Sequence, residues 1–302
     1  MNVENKLITI LGPTAVGKTR FAVKLAYRFN GEIISADSRQ VYTGMDIGTG
    51  KDYKDYFINN TQIKTHLIDI ISPLEEFNLF LFRKYFYQAF KKITNNQKTP
   101  FLVGGTALYL NSILKKYTIS EVNFNSKRAK YLYSLPKEQL KKILLNIKQN
   151  QHNVTDLIEK ERIVKAILIA ETENKKNDDE VDISSLIIGI TDSRDIVKER
   201  IRKRLKIRLE EGMIDEVETL LARGVTHEKL KFFGLEYKFI SMYLNKELNY
   251  NDMYQKLASA IIQFSKRQMT WFRKMEREGI KIHWLKNNEI TKAEKLIENF
   301  IH

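Results

Sequence analysis

The chain has 302 residues, no cysteine, and 51 Lys+Arg against 37 Asp+Glu, a formal net charge of +14. The length allows one large domain or two modest ones, and the missing cysteines exclude disulfides, thiolate nucleophiles and Cys-ligated zinc. The charge favours a polyanionic partner held by counterion release, although a basic but inert surface gives the same balance.

Taken in chain order, Met1–Lys6 is short and polar, and the apolar stretch Leu7–Leu11 is too short for a signal sequence or a membrane span. The expectation is a cytoplasmic protein without membrane association. Lys6–Leu11 (KLITIL) predicts a buried strand, and Gly12–Lys18 a glycine-rich loop. From Thr19 the spacing of Phe21, Leu25 and Phe29 predicts an amphipathic helix, ended by Gly31. Glu32–Ala36 (EIISA) predicts a second strand. This order implies a βαβ unit and a parallel sheet.

Further strands are predicted at His66–Ile70, Pro100–Val103, Ser185–Ile190 and Lys281–Leu285. Between the first two, Leu79–Lys92 predicts a helix whose aromatic face (Phe80, Phe82, Tyr85, Phe86, Tyr87, Phe90) is assigned to core packing. From about Tyr117 to Asp182 strand signals vanish, and helical patterns such as Leu140–Ile147 and Ile163–Ile169 take over. Residues 117–182 are therefore expected to form a helical insertion, with the polar Glu173–Asp182 as its return loop. Residues 1–116 and 183–302 would then form an α/β core of the P-loop type.

Gly12-Pro13-Thr14-Ala15-Val16-Gly17-Lys18-Thr19 matches G-x-x-x-x-G-K-[ST] between a predicted strand and a predicted helix. Glycines let main-chain N–H groups curl around phosphate oxygens, and the helix N-terminus adds positive potential. Lys18 supplies a cation, and the Thr19 hydroxyl can ligate Mg²⁺. The motif identifies a phosphate ligand, nucleotide or otherwise, and leaves the reaction open.

Asp37 directly follows the second predicted strand, at the sheet edge where ligands of open α/β sheets bind. A carboxylate there can accept a proton, hold Mg²⁺, or merely cap the next turn. Val103-Gly104-Gly105-Thr106 ends another predicted strand, where paired glycines permit close approach of a ligand or simply make a turn.

GPTAVGKT at 12–19, ISADSRQVYTGMDIGTGK at 34–51, HLIDI at 66–70, VGGTALYL at 103–110 and KRQMTWFRK at 266–274 occur in that order. Together they resemble the tRNA dimethylallyltransferase (tRNA isopentenyltransferase) family over nearly the whole chain. The resemblance implies Mg²⁺-assisted transfer of a dimethylallyl group from dimethylallyl diphosphate to N6 of the adenosine 3′-adjacent to the anticodon. The tRNAs concerned read codons beginning with U, and diphosphate leaves. It further implies that Thr14–Thr19 cradle the donor diphosphate and that Asp37 is the general base. Thr19 is placed near the bridging oxygen and the metal, and Arg204 on the departing pyrophosphate.

The sequence around Arg204 suits that role. Val197, Ile201 and Leu205 can face a core while Arg200, Arg204 and Arg208 form an adjacent stripe. A solvated basic face has the same pattern.

For contacts to the tRNA anticodon stem-loop, the resemblance implies Asp37, Ser38, Arg39, Gln40, Thr106 and Arg128. Glu161, Arg162 and Lys165 occupy a segment where the family usually carries two arginines, and Ile158-Glu159 replace a usual Asn-Asp pair. Lys231, Gly234 and Glu236 lie where G-Y-x-E is usual, here GLEY. Lys266 and Arg267 are cations suited to a phosphate backbone, while Trp271 and Phe272 can stack on splayed bases or pack inside. The target base must leave its stack, so a channel is expected. A monomer is expected. The alternatives are a P-loop kinase acting on a small molecule or nucleotide, which leaves the insertion and the basic aromatic segment unexplained, and an RNA-binding module with a vestigial site.

Overall fold

The computed structural model describes residues 5–115, 122, 124–147, 159–172 and 181–301. β1 (Lys6–Leu11) enters the glycine-rich loop, followed by α1 (Lys18–Arg28) and β2 (Gly31–Ala36). A 3₁₀ turn at Tyr53–Tyr56 precedes the hairpin of β3 (Phe57–Ile58) and β4 (Thr61–Gln62), then β5 (Thr65–His66). Next come α2 (Leu79–Asn95), β6 (Thr99–Gly104) and α3 (Ala107–Leu114).

The chain divides into two compact units, one formed by Met1–Lys115 with Val181–His302 and the other by Lys116–Glu180. The smaller unit holds α4 (Lys127–Ser134), α5 (Lys137–Ile147) and α6 (Lys160–Thr172) around its own core of Leu132, Leu140, Leu144, Ile163 and Ile167. Most of the expected return loop, residues 173–180, lies outside the described residues.

The larger unit resumes with β7 (Ser184–Ile190), α7 (Arg194–Glu210), α8 (Met213–Ala222), α9 (His227–Phe232) and α10 (Leu235–Leu244). It ends with α11 (Tyr250–Arg277), β8 (His283–Leu285) and α12 (Ile290–Ile301).

Six parallel strands form one sheet in the order β5-β2-β6-β1-β7-β8. Alternation along each strand divides the core between the two faces. Ile8, Ile10, Ile33, Phe101 and Ile188 face one apolar cluster, whereas Leu7, Leu11, Ile34, Leu102 and Ile187 face the other. The aromatic side of α2 packs on the second face through Phe82, Phe86 and Phe90, while Tyr85 remains exposed. The 28-residue α11 joins both cores, with Leu257 and Ile261 on the first side and Phe272 and Met275 on the second.

Two local expectations are corrected. Gly31 does not end the first helix. Asn30 takes the left-handed turn (φ 47°), and Gly31 opens β2, where a Cβ would meet the Phe101 ring at 2.5 Å. The strand expected at His66–Ile70 stops at His66 because Leu67 (φ 62°) and Asp69 (φ 53°) turn the chain. The amides of Asp69 and Ile70 donate instead to Gln40 O (3.1 Å) and Val41 O (2.8 Å). The Asp69 carboxylate accepts from buried Lys51 and from the Tyr53 hydroxyl.

One carboxylate shapes the loop after β2. Glu216 accepts hydrogen bonds from the amides of Asp46 (2.7 Å), Ile47 (2.6 Å) and Gly48 (3.0 Å), and from the Tyr237 hydroxyl (2.7 Å). Glu216→Ala strands these donors and should cost about 2–4 kcal/mol in a urea unfolding titration. An unchanged midpoint would show that water replaces the carboxylate at no cost.

Candidate active site

At the carboxyl ends of β1, β2 and β6 lies a cavity of about 320 Å³. The phosphate loop, the Asp37 turn and the Gly104-Gly105-Thr106 turn form its sheet side, and residues of α7, α10 and α11 line the rest.

Within the loop, Thr14, Ala15, Gly17, Lys18 and Thr19 face the cavity, whereas Gly12, Pro13 and Val16 are buried behind them. Gly17 caps α1 in the left-handed region (φ 83°), a conformation that glycine adopts without Cβ strain. Lys18 Nζ donates to Pro13 O at 2.6 Å. Lys18 retains partial solvent access through the cavity mouth. Desolvation, then the nearby Arg204 charge, lower its ammonium to a pKa of about 7, against a raising pull from Asp37.

A polyanion in the cavity would restore a counter-charge and return the lysine to its protonated form. Pyrophosphate binding at pH 8 should therefore take up about one proton more in the wild type than in Lys18→Arg, a difference that vanishes near pH 6. Affinity should correspondingly weaken as pH rises above 7. Calorimetry in buffers of different ionisation enthalpy measures the uptake, and equal proton counts for both proteins would refute it.

Asp37 lines the same cavity as the loop, and its Oδ1 accepts from the Arg39 amide at 2.9 Å. One carboxylate oxygen thus makes the turn that the capping alternative anticipated. The Ser38 amide donates to Thr106 Oγ1 at 3.1 Å, and the Thr106 amide to Ala36 O at 3.2 Å, tying the Asp37 turn to the glycine turn. Gln40 is buried, bonded to Ser35 Oγ (2.9 Å) and Gly50 O (3.2 Å). Arg39 donates to Phe232 O at 2.9 Å and lies over the Phe232 ring.

Of the α7 arginines, Arg200 pairs with Asp192 at 3.0 Å and Arg208 is buried near Asp52. Arg204 reaches the phosphate loop, donating to Thr14 Oγ1 at 2.6 Å. Desolvation and the Arg208 charge lower it to a pKa of about 10, so it remains cationic at neutral pH. Glu236 also lines the cavity, where burial raises its carboxyl above the ordinary value. Gly234 lines the same wall. The oxygen groups that could serve a divalent cation are the Thr19 hydroxyl and the Asp37 and Asp52 carboxylates, which line one cavity, whereas Asp55, also in the lining, pairs with Arg20 at 2.7 Å. Among the described residues no cluster of three or more His, Cys, Asp or Glu side chains is arranged to hold a metal unaided.

The remaining expected RNA contacts lie on surfaces. Lys231 pairs with Glu247 at 2.9 Å, and Lys266 and Arg267 are exposed on α11. Trp271 and Phe272 have different environments, Trp271 being exposed beside Lys274 and Phe272 fully buried. In the smaller unit, Arg128 holds Glu171 at 2.5 Å, Arg162 holds Glu159 at 3.1 Å, and Lys165 holds Glu161 at 2.7 Å. Gln268 of α11 was not anticipated from the sequence, and it bridges two cavity walls. Among the described residues, no helix is long and apolar enough to cross a membrane.

A family model for IPP transferase matches residues 40–275. The chain is 50% identical over 283 residues to tRNA dimethylallyltransferase 1 of Geotalea uraniireducens, covering 93% of both. It is 47% identical over 303 residues to tRNA dimethylallyltransferase 1 of Azobacteroides pseudotrichonymphae, covering 99% of this chain and 98% of the relative. Its fold is similar to the full-length tRNA isopentenylpyrophosphate transferase of Bacillus halodurans, with a TM-score of 0.72 and 29% identity over 99% of this chain and 97% of that one. A eukaryotic dimethylallyltransferase acting on tRNA shares the fold, with a TM-score of 0.75 and 22% identity over 98% of this chain and 77% of that one. A family match across most of the sequence, near-complete relatives at about half identity and a shared α/β architecture converge: the chain belongs to the tRNA dimethylallyltransferase family.

Proposed function

We infer that the protein transfers a dimethylallyl group from dimethylallyl diphosphate to N6 of the adenosine 3′-adjacent to the anticodon, in tRNAs reading codons that begin with U. The supporting observation is that a phosphate loop and the Asp37 carboxylate line one cavity. The amine nitrogen attacks the allylic carbon as the carbon–oxygen bond to diphosphate breaks. Asp37 takes the amine proton, and the electron pair leaves with diphosphate. Allylic cation character lowers the barrier, so alignment, proton acceptance and leaving-group stabilisation carry the work.

Thr14–Thr19 form the diphosphate cradle, with main-chain amides after Thr14 facing the anion and the Thr14 amide held by Gln268 Oε1. Lys18 and Arg204 balance the charge. Thr19 would supply a protein oxygen to Mg²⁺, which would neutralise diphosphate charge. RNA contacts are assigned to Ser38, Arg39, Gln40, Thr106, Lys231, Gly234, Glu236, Lys266 and Arg267. Arg128, Glu161, Arg162 and Lys165 are assigned the same role in the insertion, the three cations by exchanging surface ion pairs for phosphate and Glu161 by accepting hydrogen bonds from the RNA. The protein acts as a monomer in the cytoplasm.

Purified protein incubated with unmodified tRNA and dimethylallyl diphosphate should add one prenyl group to the anticodon-loop adenosine, detected by mass spectrometry. Phosphorylation of a small acceptor with ATP, and no prenylated adenosine, would favour the kinase alternative.

A further inference from the structure

The buried side chain of Gln268 makes two hydrogen bonds with groups far away in sequence. Its Oε1 accepts from the Thr14 amide at 2.9 Å, and its Nε2 donates to Gly105 O at 2.9 Å. The first partner belongs to the phosphate loop and the second to the glycine turn after β6. Through Thr106 that turn is bonded to the amide of Ser38, the neighbour of Asp37. A connected path therefore runs from the loop that would hold the leaving group to the carboxylate that would receive the proton. Gly105 leaves room for it, since a Cβ there would approach Gln268 Nε2 to 2.5 Å. α11 supplies the rigid mount, anchored by Ile261 on one side and Phe272 on the other.

We propose that Gln268 is a positioning residue that fixes the spacing between the phosphate loop and the Asp37 turn, and so aligns the incoming amine with the allylic carbon. This rests on the prenyl-transfer reading. A primary amide suits the task because one planar group donates on one side and accepts on the other. A misplacement of about 1 Å between reacting groups can cost about 100-fold in rate.

Two variants test it in single-turnover prenyl transfer at saturating donor and tRNA. Gln268→Met fills the space without either hydrogen bond and should slow the step about 100-fold. Its tRNA and pyrophosphate affinities should stay within about threefold of the wild type, well under the 1.4 kcal/mol of a tenfold change. Gln268→Glu supplies both bonds only while its carboxyl is protonated, so its rate relative to the wild type should climb as pH falls from 8 to 6. A structural role alone predicts proportional loss of binding and thermal stability with no such pH rescue. A wild-type rate from Gln268→Met, or a flat Gln268→Glu ratio, overturns the proposal. Absence of product from the wild type itself would instead reject the reaction.

Discussion

Replacing Asp37 with asparagine should lower the single-turnover rate of prenyl transfer by about 10²–10⁴-fold, the usual contribution of a positioned general base. Asparagine is the better substitution because Asp37 has two jobs. Its Oδ1 accepts from the Arg39 amide at 2.9 Å, and an asparagine oxygen preserves that turn. Asp37→Ala loses the turn as well, adding about 1 kcal/mol of instability by analogy with lost caps. Pyrophosphate affinity measured without Mg²⁺ should change little in either variant, because relief of the repulsion between Asp37 and the anion opposes the loss of Asp37's support for protonated Lys18. Binding of tRNA should be largely spared. A rate for Asp37→Asn within about threefold of the wild type would place the proton acceptor elsewhere.

Features that depend on neighbours in sequence are legible from the sequence alone. The strand–loop–helix around Lys18 is encoded by apolar runs and glycine spacing, and Asp37 follows from the end of the next strand. The stripe Arg200, Arg204, Arg208 was also visible at four-residue spacing, but its geometry leaves open which member turns inward. Tertiary packing decides that, selecting Arg204 for the loop and burying Arg208 near Asp52. Trp271 and Phe272 illustrate the same limit. Successive helical residues diverge by about 100°, so one can face the core while its neighbour meets solvent. Gln268 lay within a recognised basic segment, yet its partners are 254 and 163 residues away. Among exposed cations it reads as a solvated polar residue. Lys51, buried with its ammonium bonded to Tyr42 O and Asp46, was hidden likewise. The failed strand after His66 has the opposite cause, because HLIDI has the apolar texture of a strand but its backbone turns to serve the Gln40–Val41 loop.

Arg204→Ala should lower the rate of the chemical step by about 10²–10³-fold, the scale for losing one preorganised donor at a developing negative charge. Lys18, Arg204 and Arg208 line one cavity, Arg204 between the phosphate-loop lysine and Arg208 in charge coupling. Arg208 lowers the Arg204 pKa, and Arg204 in turn lowers that of Lys18. Like charges held together in a desolvated wall oppose folding, and an incoming diphosphate relieves that opposition. Removing Arg204 should consequently leave thermal stability unchanged or raised while activity collapses, the opposite of what loss of a structural arginine produces. It should also raise the Lys18 pKa above about 7 and reduce the proton uptake on pyrophosphate binding at pH 8, because the lysine then begins closer to its protonated form. Arg204→Lys keeps the charge but loses the planar fork that reaches Thr14, so it should recover affinity for pyrophosphate more fully than rate. An Arg204→Ala enzyme with a lowered melting temperature and a wild-type single-turnover rate would identify Arg204 as scaffold. The stabilisation of the leaving group would then fall to Lys18 and the loop amides alone.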